Sequence, residues 1–131
     1  MRWFLILFLI PLVGFCGEII AYYSPSCSCC TSYFSKLEEE GFKIRREKKS
    51  PEELMNIKSQ LKIPPQLRSC HTMVYEGRFI EGHVPPEGVK RLIKDEKLKG
   101  VASLHGKKSA LGGFEDSYYL VKENQALEVK P

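Results

Sequence analysis

The sequence predicts an α/β fold in which helices flank a short central mixed sheet. Two observations support this class: β-prone runs alternate with segments whose apolar residues have helical spacing, and turn-forming residues separate them. The predicted order is strand, helix, strand, helix, strand, strand and helix. With 131 residues, of which 43% are hydrophobic, the chain fits one small domain with a modest core.

The first predicted strand and helix surround a cysteine-rich loop. Residues 18–23 form a short apolar run that ends at Ser24 and Pro25, as expected of a buried strand. Residues 31–40 carry apolar side chains at helical spacing, and Gly41 follows as a C-terminal cap signal. These patterns predict a strand, a loop that holds the cysteines, and a helix.

The second strand and helix have the clearest local signals. Residues 42–47 alternate apolar and basic side chains, which is the period of a half-buried strand. Ser50 is then the predicted helix N-cap, Pro51 takes the first helical position, and Glu53 completes a capping box. The apolar face of this helix is predicted at Leu54, Ile57 and Leu61.

The rest of the chain contains a hairpin, a helix, a loop and a second hairpin. In order, the predictions are a strand at 72–75, a turn at 76–77, a strand at 78–82, a helix opened by Pro85 and Pro86, a loop at 101–113, and strands at 118–122 and 126–129. The whole order is that of a thioredoxin-like sandwich, an α/β fold with a short central mixed sheet flanked by helices.

An export signal is expected at residues 1–17, so that the folded domain occupies residues 18–131. An apolar run at residues 3–15 follows Arg2, and this run is too short for a comfortable membrane span. Cleavage at the end of this segment would release a soluble periplasmic protein that does not associate with the membrane. A retained N-terminal anchor and a lipid-modified Cys16 are the alternatives.

The charge distribution does not indicate a nucleic-acid-binding protein. The formal net charge is +4, and residues of both signs are interspersed along the chain. Residues 45–49 contain a basic cluster, but no aromatic residues or nucleic-acid motif accompany it. A solvated face is therefore the interpretation of this cluster.

Three cysteines fall within four residues, at Cys27, Cys29 and Cys30. Cys27 and Cys30 have the CxxC spacing of dithiol redox proteins, and the following helix N-terminus favours the thiolate. Cys29 adds a sulfur that a simple dithiol exchanger does not need. Adjacent cysteines fit one tetrahedral zinc poorly, whereas sulfurs shared among several Cu(I) ions relieve that constraint. The sequence therefore favours copper over zinc, and a Cys27–Cys30 disulfide without a metal is the alternative.

A second ligand pair, Cys70 and His71, precedes the predicted strand at 72–75. In the predicted topology this loop faces the N-terminus of the first helix, so both clusters should meet at one edge of the domain. A fourth thiolate and an imidazole would then complete a site with mixed sulfur and nitrogen ligands, which suits both Cu(I) and Cu(II). A buried thiol beside a hydrogen-bonded imidazole is the alternative.

Three motifs resemble a known family: SPSCSCC at residues 24–30, SCHTMVYEG at 69–77 and EGHVP at 81–85. They are similar to motifs of the CopG-type family of exported, thioredoxin-like metal-binding proteins linked to copper resistance. The resemblance covers about residues 20–101 and implies a periplasmic copper site, a copper oxidoreductase role, and other periplasmic copper-handling proteins as partners. The implied metal ligands are Cys27, Cys29, Cys30, Cys70 and His71. His83 matches the motif EGHVP, and the alternative for it is a hydrogen-bonded histidine at a strand end near Pro85.

One segment departs from the family pattern. The family often carries a Gly-, Pro- and Met-rich loop after its last helix, where this chain has SLHGKKSALGGFE at residues 103–115. Thioether ligation is therefore not expected there, and His105 is expected to be solvated. Met55 and Met73 lie in a predicted helix and strand, so both are predicted to pack in the core.

Three functions remain open from the sequence. The first is an exported protein that holds copper, as a thiolate-bridged Cu(I) cluster of several ions, for copper resistance or copper redox chemistry. The second is a thiol-disulfide oxidoreductase that uses Cys27 as the attacking thiolate and Cys30 as its resolving partner. The third is a binding module stabilised by zinc or a disulfide.

Overall fold

A computed structural model describes residues 17–123 and 125–131 of the protein. Within these ranges there are seven strands and four helices. In chain order they are β1 Ile19–Tyr23, α1 Ser28–Glu39, β2 Ile44–Lys48, α2 Pro51–Gln60, β3 His71–Tyr75, β4 Arg78–Glu81, α3 Pro86–Lys94, β5 Gly100–Ala102, α4 Lys107–Ala110, β6 Tyr118–Val121 and β7 Ala126–Val129. A short 3₁₀ turn at Pro65–Leu67 connects α2 to β3.

The strands form one mixed sheet in the order β2-β1-β3-β4-β5-β6-β7. Two neighbouring pairs, β1 with β2 and β4 with β5, are parallel, and the other pairs are antiparallel. The predicted α/β class, with a central mixed sheet flanked by helices, is confirmed. The sheet is longer than expected because β5 and the terminal hairpin β6–β7 extend it beyond the first four strands.

The sheet separates two apolar clusters. Tyr33 and Phe34 of α1 and Leu92 of α3 pack on one face, together with Ile80 of β4. On the other face, Phe79 of β4 packs with residues that follow α2 and with residues of β5 and β6. Successive residues of a strand point to opposite faces, which is why neighbours in β4 enter different clusters.

Several local signals in the sequence form as predicted. Ser50 caps α2, and the reciprocal hydrogen bonds of its capping box with Glu53 are both present. Glu76 and Gly77 both have positive φ, as a two-residue type I′ hairpin turn requires. α3 begins at Pro86, and the predicted hairpin near the C-terminus forms as β6 and β7.

Three sequence predictions are wrong in detail. α1 begins at Ser28, so Cys29 and Cys30 lie in its first turn and not in the preceding loop. The segment 101–113, predicted to be a loop, contributes the end of β5 and the four-residue α4. Met55 is 58% exposed because it lies on the outer side of α2, whereas Met73 is buried as predicted.

The predicted export signal at residues 1–17 lies, except for Gly17, outside the described residues. Within the described part of the chain, no helix combines the length and the apolar character needed to cross a bilayer.

Candidate metal centre

The CxCC segment lies where β1 passes into α1. Cys27 is the residue before the helix, and its amide donates a hydrogen bond to the Ser24 carbonyl at 3.0 Å. Cys27 and Cys30 are joined by a disulfide across the first turn, with their Cα atoms 5.4 Å apart. Cys29 is a free thiol with its sulfur 3.5 Å from that of Cys27. Two of the predicted thiolate ligands are therefore oxidised in this structure.

The pairing of β1 with β3 brings the second cluster to the same place. Tyr23 at the end of β1 lies opposite His71 at the start of β3, so Cys70 comes next to the first turn of α1. The sulfur atoms of the four cysteines all lie within 4.8 Å of one another. The expected meeting of the two clusters is confirmed.

A second group of ligand atoms shares the Cys70 sulfur. Cys70 Sγ, His71 and His83 offer ligand atoms within 4.8 Å of one another. Cys70 Sγ lies 3.5 Å from His71 Nδ1 and 3.7 Å from His83 Nε2. The structure thus brings together all six residues that the sequence and the resemblance indicated, with Cys70 common to both groups.

The two imidazoles are held differently. Nδ1 of His83 lies 2.7 Å from the Gly113 carbonyl, which only accepts, so Nδ1 carries the proton. His83 Nε2, which faces Cys70, is then the nitrogen with a free lone pair. His71 is fully buried, and its Nε2 has no partner at hydrogen-bonding geometry among the described residues.

Burial favours the uncharged forms of Cys70, His71 and His83. Burial lowers the pKa of His71 well below its usual value, and the neighbouring His83 and Lys58 lower it further. Burial also lowers the pKa of His83. Burial raises the pKa of the Cys70 thiol to about 11. The hydrogen bond from the Ser69 hydroxyl lowers this pKa, and the neighbouring Cys29 raises it further. The site therefore contains two neutral imidazoles and a protonated Cys70 thiol.

Tyr33 of α1 packs against both imidazoles. Its ring centroid lies 5.1 Å from that of His71 and 4.5 Å from that of His83. Its hydroxyl donates to the Val84 carbonyl at 2.6 Å, and Phe34 meets the His71 ring edge to face. The helix that carries Cys29 and Cys30 therefore also orients the two histidines.

The loop around α4 contacts His83 through its backbone. The Glu115 amide donates to the His83 carbonyl at 2.9 Å, and the Glu115 carboxylate accepts from the amides of Gly106 and Ser109. His105 on this loop is exposed, as expected, and its ring centroid lies 6.0 Å from that of His83.

Sequence reasoning assigned no site role to Tyr33, Lys58 or Glu81. Tyr33 could have been found by its spacing, because it lies three residues after Cys30 on the same face of α1. Lys58 lies four residues after Leu54 on the buried face of α2, where an unpaired lysine would be costly. Its partner Glu81 lies in a different element, which no local pattern reveals.

Comparison with known proteins points to the same family as the motifs. Residues 67–104 match a family described as a protein of unknown function, DUF411. Among curated proteins, none matches the chain. Two solved structures of copper resistance protein CopG are similar to it: form 1, with 28% identity and a TM-score of 0.74, and form 2, with 27% identity and a TM-score of 0.69. The match to form 1 covers 87% of this chain and 98% of the other, and the match to form 2 covers 85% and 94%. The predicted resemblance to the CopG-like family is therefore confirmed, in fold across most of the chain and in sequence over residues 67–104.

Proposed function

We propose that the protein is an exported copper-binding protein that holds several copper ions for copper resistance or copper redox chemistry in the periplasm. In its reduced form, the ions would be held as a thiolate-bridged Cu(I) cluster. The proposed ligands are Cys27, Cys29, Cys30 and Cys70, with His71 and His83 as nitrogen donors.

The observation that carries this proposal is the position of Cys70. Its sulfur belongs both to the group of four cysteines and to the group it forms with His71 and His83. A sulfur with ligand atoms on two sides is what a bridging thiolate requires. A closed site for one structural zinc would use a single set of four ligands.

The chemistry of the donors favours copper. Thiolate sulfur is a soft ligand that favours Cu(I), and neutral imidazole binds copper in both common oxidation states. The solved structures that the chain resembles are of a copper resistance protein. A dithiol reductant supplies two electrons and two protons to the Cys27–Cys30 disulfide and is itself oxidised to a disulfide, which restores two thiols and completes the sulfur set.

Anaerobic titration of the reduced protein with Cu(I), in competition with a chromophoric Cu(I) chelator, tests the proposal. We expect more than one tightly bound Cu(I) per chain, and copper–copper scattering in X-ray absorption spectra. Cys29→Ser and Cys70→Ser should each lower the bound copper, whereas Ser26→Ala, beside the motif, should not. Binding no tighter in the natural protein than in Cys29→Ser and Cys70→Ser would refute the proposal.

Export is tested separately. Expression of the full chain followed by fractionation should give a periplasmic protein whose first residue is Glu18. A protein that retains residues 1–17 in the membrane fraction would contradict this part of the proposal.

The disulfide itself favours a second candidate function, thiol-disulfide exchange. Cys27 is partly exposed and Cys30 is buried, which suits an attacking and a resolving thiol. Reduction of insulin by the protein should then be lost in Cys27→Ser and unchanged in Cys29→Ser or His71→Ala. Loss of copper binding in these last two variants, without exchange activity in the natural protein, would exclude this candidate.

A further inference from the structure

A buried ion pair lies beneath the Cys70–His71 segment. Lys58 of α2 and Glu81 of β4 are 5% and 0% exposed, and the Lys58 ammonium donates directly to Glu81 Oε2. Removing two charges from water is expensive, and their attraction offsets this cost only when hydrogen bonds satisfy the remaining polar atoms. The hydrogen-bond partners of Lys58 and Glu81 therefore identify the segment that the ion pair holds in place.

Nearly all of those partners belong to the segment that carries the proposed ligands. Glu81 Oε2 accepts from the Ser69 amide at 2.8 Å, and Glu81 Oε1 accepts from the Thr72 hydroxyl at 2.7 Å. The Lys58 ammonium donates to the Thr72 hydroxyl at 2.8 Å and lies 3.5 Å from the His71 carbonyl. The ion pair thus binds the Ser69 amide before Cys70 and the Thr72 hydroxyl after it.

The same pair is connected to the third ligand of the second group. Glu81 lies directly across the sheet from Thr72, and His83 follows it by two residues. Gly82 between them has positive φ and packs against Ser69, where an added Cβ would lie 3.2 Å from the Ser69 Cβ. A substitution at Glu81 would therefore shift the backbone of Ser69, which precedes Cys70, and of Gly82, which precedes His83.

We propose that Lys58 and Glu81 are positioning residues of the metal centre, which hold the Ser69–Thr72 segment so that Cys70 and His71 meet the cysteines of α1. This inference rests on the proposed copper function for the identity of the bound metal. Groups that orient metal ligands affect affinity without touching the ion. An ion pair serves such a role because its hydrogen bonds fix direction, which apolar packing at the same place would not.

Two single substitutions and one double substitution separate positioning from stability. Lys58→Met or Glu81→Gln alone leaves one buried polar partner unsatisfied, so each should destabilise the fold and weaken Cu(I) binding by roughly 10- to 100-fold. Replacing both, as Lys58→Met with Glu81→Met, should recover part of the thermal stability, because no buried charge is left unpaired, while the Ser69 amide still lacks its acceptor. Copper affinity should remain as weak as in the single variants.

Arg78 provides the matched control. It lies at the other end of β4 and donates to the carbonyls of Leu92, Asp95 and Leu98. Arg78→Met should lower stability and leave copper affinity unchanged. Recovery of copper affinity along with stability in the double variant, or an equal loss of affinity in Arg78→Met, would overturn the proposal.

A measurement without copper distinguishes this inference from the proposed function. In the metal-free protein, hydrogen exchange of the Ser69 amide should become at least about tenfold faster in Glu81→Gln, because that amide loses its charged acceptor. Thr72→Val, which keeps both charges, is the second variant should Glu81→Gln not fold, and it should also speed this exchange. Unchanged exchange in the folded variant would refute positioning, whatever metal the natural protein binds.

Discussion

Copper binding at Cys70 should release one thiol proton at any pH between about 6 and 9. Burial, with a smaller contribution from Cys29, raises the pKa of the Cys70 thiol to about 11 despite the hydrogen bond of the Ser69 hydroxyl. At pH 7 only about one molecule in 10⁴ would then carry the Cys70 thiolate without metal. Because copper binds the thiolate, this proton must leave when the ion arrives.

The size of the effect follows from this pKa. Below pH 11, each unit of falling pH weakens binding through Cys70 about tenfold, so a change from pH 8 to pH 6 costs about 100-fold. His71 adds nothing to this dependence, because burial lowers its pKa and keeps the imidazole neutral across the same range. Protons from the other thiols are released equally in the natural protein and in a Cys70→Ser variant.

The assay is a pH-stat titration of the reduced protein with Cu(I) under anaerobic conditions. At saturation the natural protein should release one more proton per chain than Cys70→Ser. His71→Ala should bind copper more weakly yet release as many protons as the natural protein. Equal proton release from the natural protein and Cys70→Ser would show that Cys70 is not a thiolate ligand or is already ionised, and would refute the reasoning.

Three further predictions concern the support of the site and use urea unfolding with the Cu(I) titration. Tyr33→Phe removes the hydroxyl that donates to the buried Val84 carbonyl, so it should cost about 1–2 kcal/mol of stability. Copper affinity should be retained, because the ring still packs on both imidazoles. Gly82→Ala should cost about 1–3 kcal/mol and weaken copper binding, because φ is +79° and the new Cβ would overlap the Ser103 carbonyl oxygen. Ser50→Ala should cost about 1 kcal/mol of stability through the lost helix cap and leave copper binding unchanged, because Ser50 lies at the far end of α2 from Lys58. A change in its copper binding would contradict this prediction.

The parts of the fold that were predictable from sequence are those that local chemistry determines. The capping box at Ser50 and the turn at Glu76 and Gly77 depend on residues within a few positions, so the start of α2 and the hairpin formed by β3 and β4 could be predicted from the sequence. α4 depends instead on Glu115, whose carboxylate binds amides at the helix start from six or more residues away. β5 has only three residues and gains its strand character from pairing with β4 and β6. Neither has a periodic pattern long enough to detect.

The same distinction applies to the candidate site. Cys70 and His71 could be placed beside the first cysteines because strand order alone decides that contact. The Lys58–Glu81 pair could not, because a lysine on a helix and a glutamate at a strand end are ordinary surface residues until the tertiary structure buries them. The sequence therefore indicates the candidate ligands, whereas the buried ion pair beneath them is visible only in the structure.

The disulfide links the two candidate functions to one another. It removes Cys27 and Cys30 from the group of four cysteines but leaves the group of Cys70, His71 and His83 intact. Oxidation would thus change the available donors from four thiols with two imidazoles to two thiols with two imidazoles, a shift from soft towards harder ligands. Cu(I) is the ion favoured by the first set, and Cu(II) is accommodated better by the second. If the site binds copper as proposed, a redox change at Cys27 and Cys30 would therefore alter which oxidation state of copper it prefers, and the two candidate functions would be compatible in one protein.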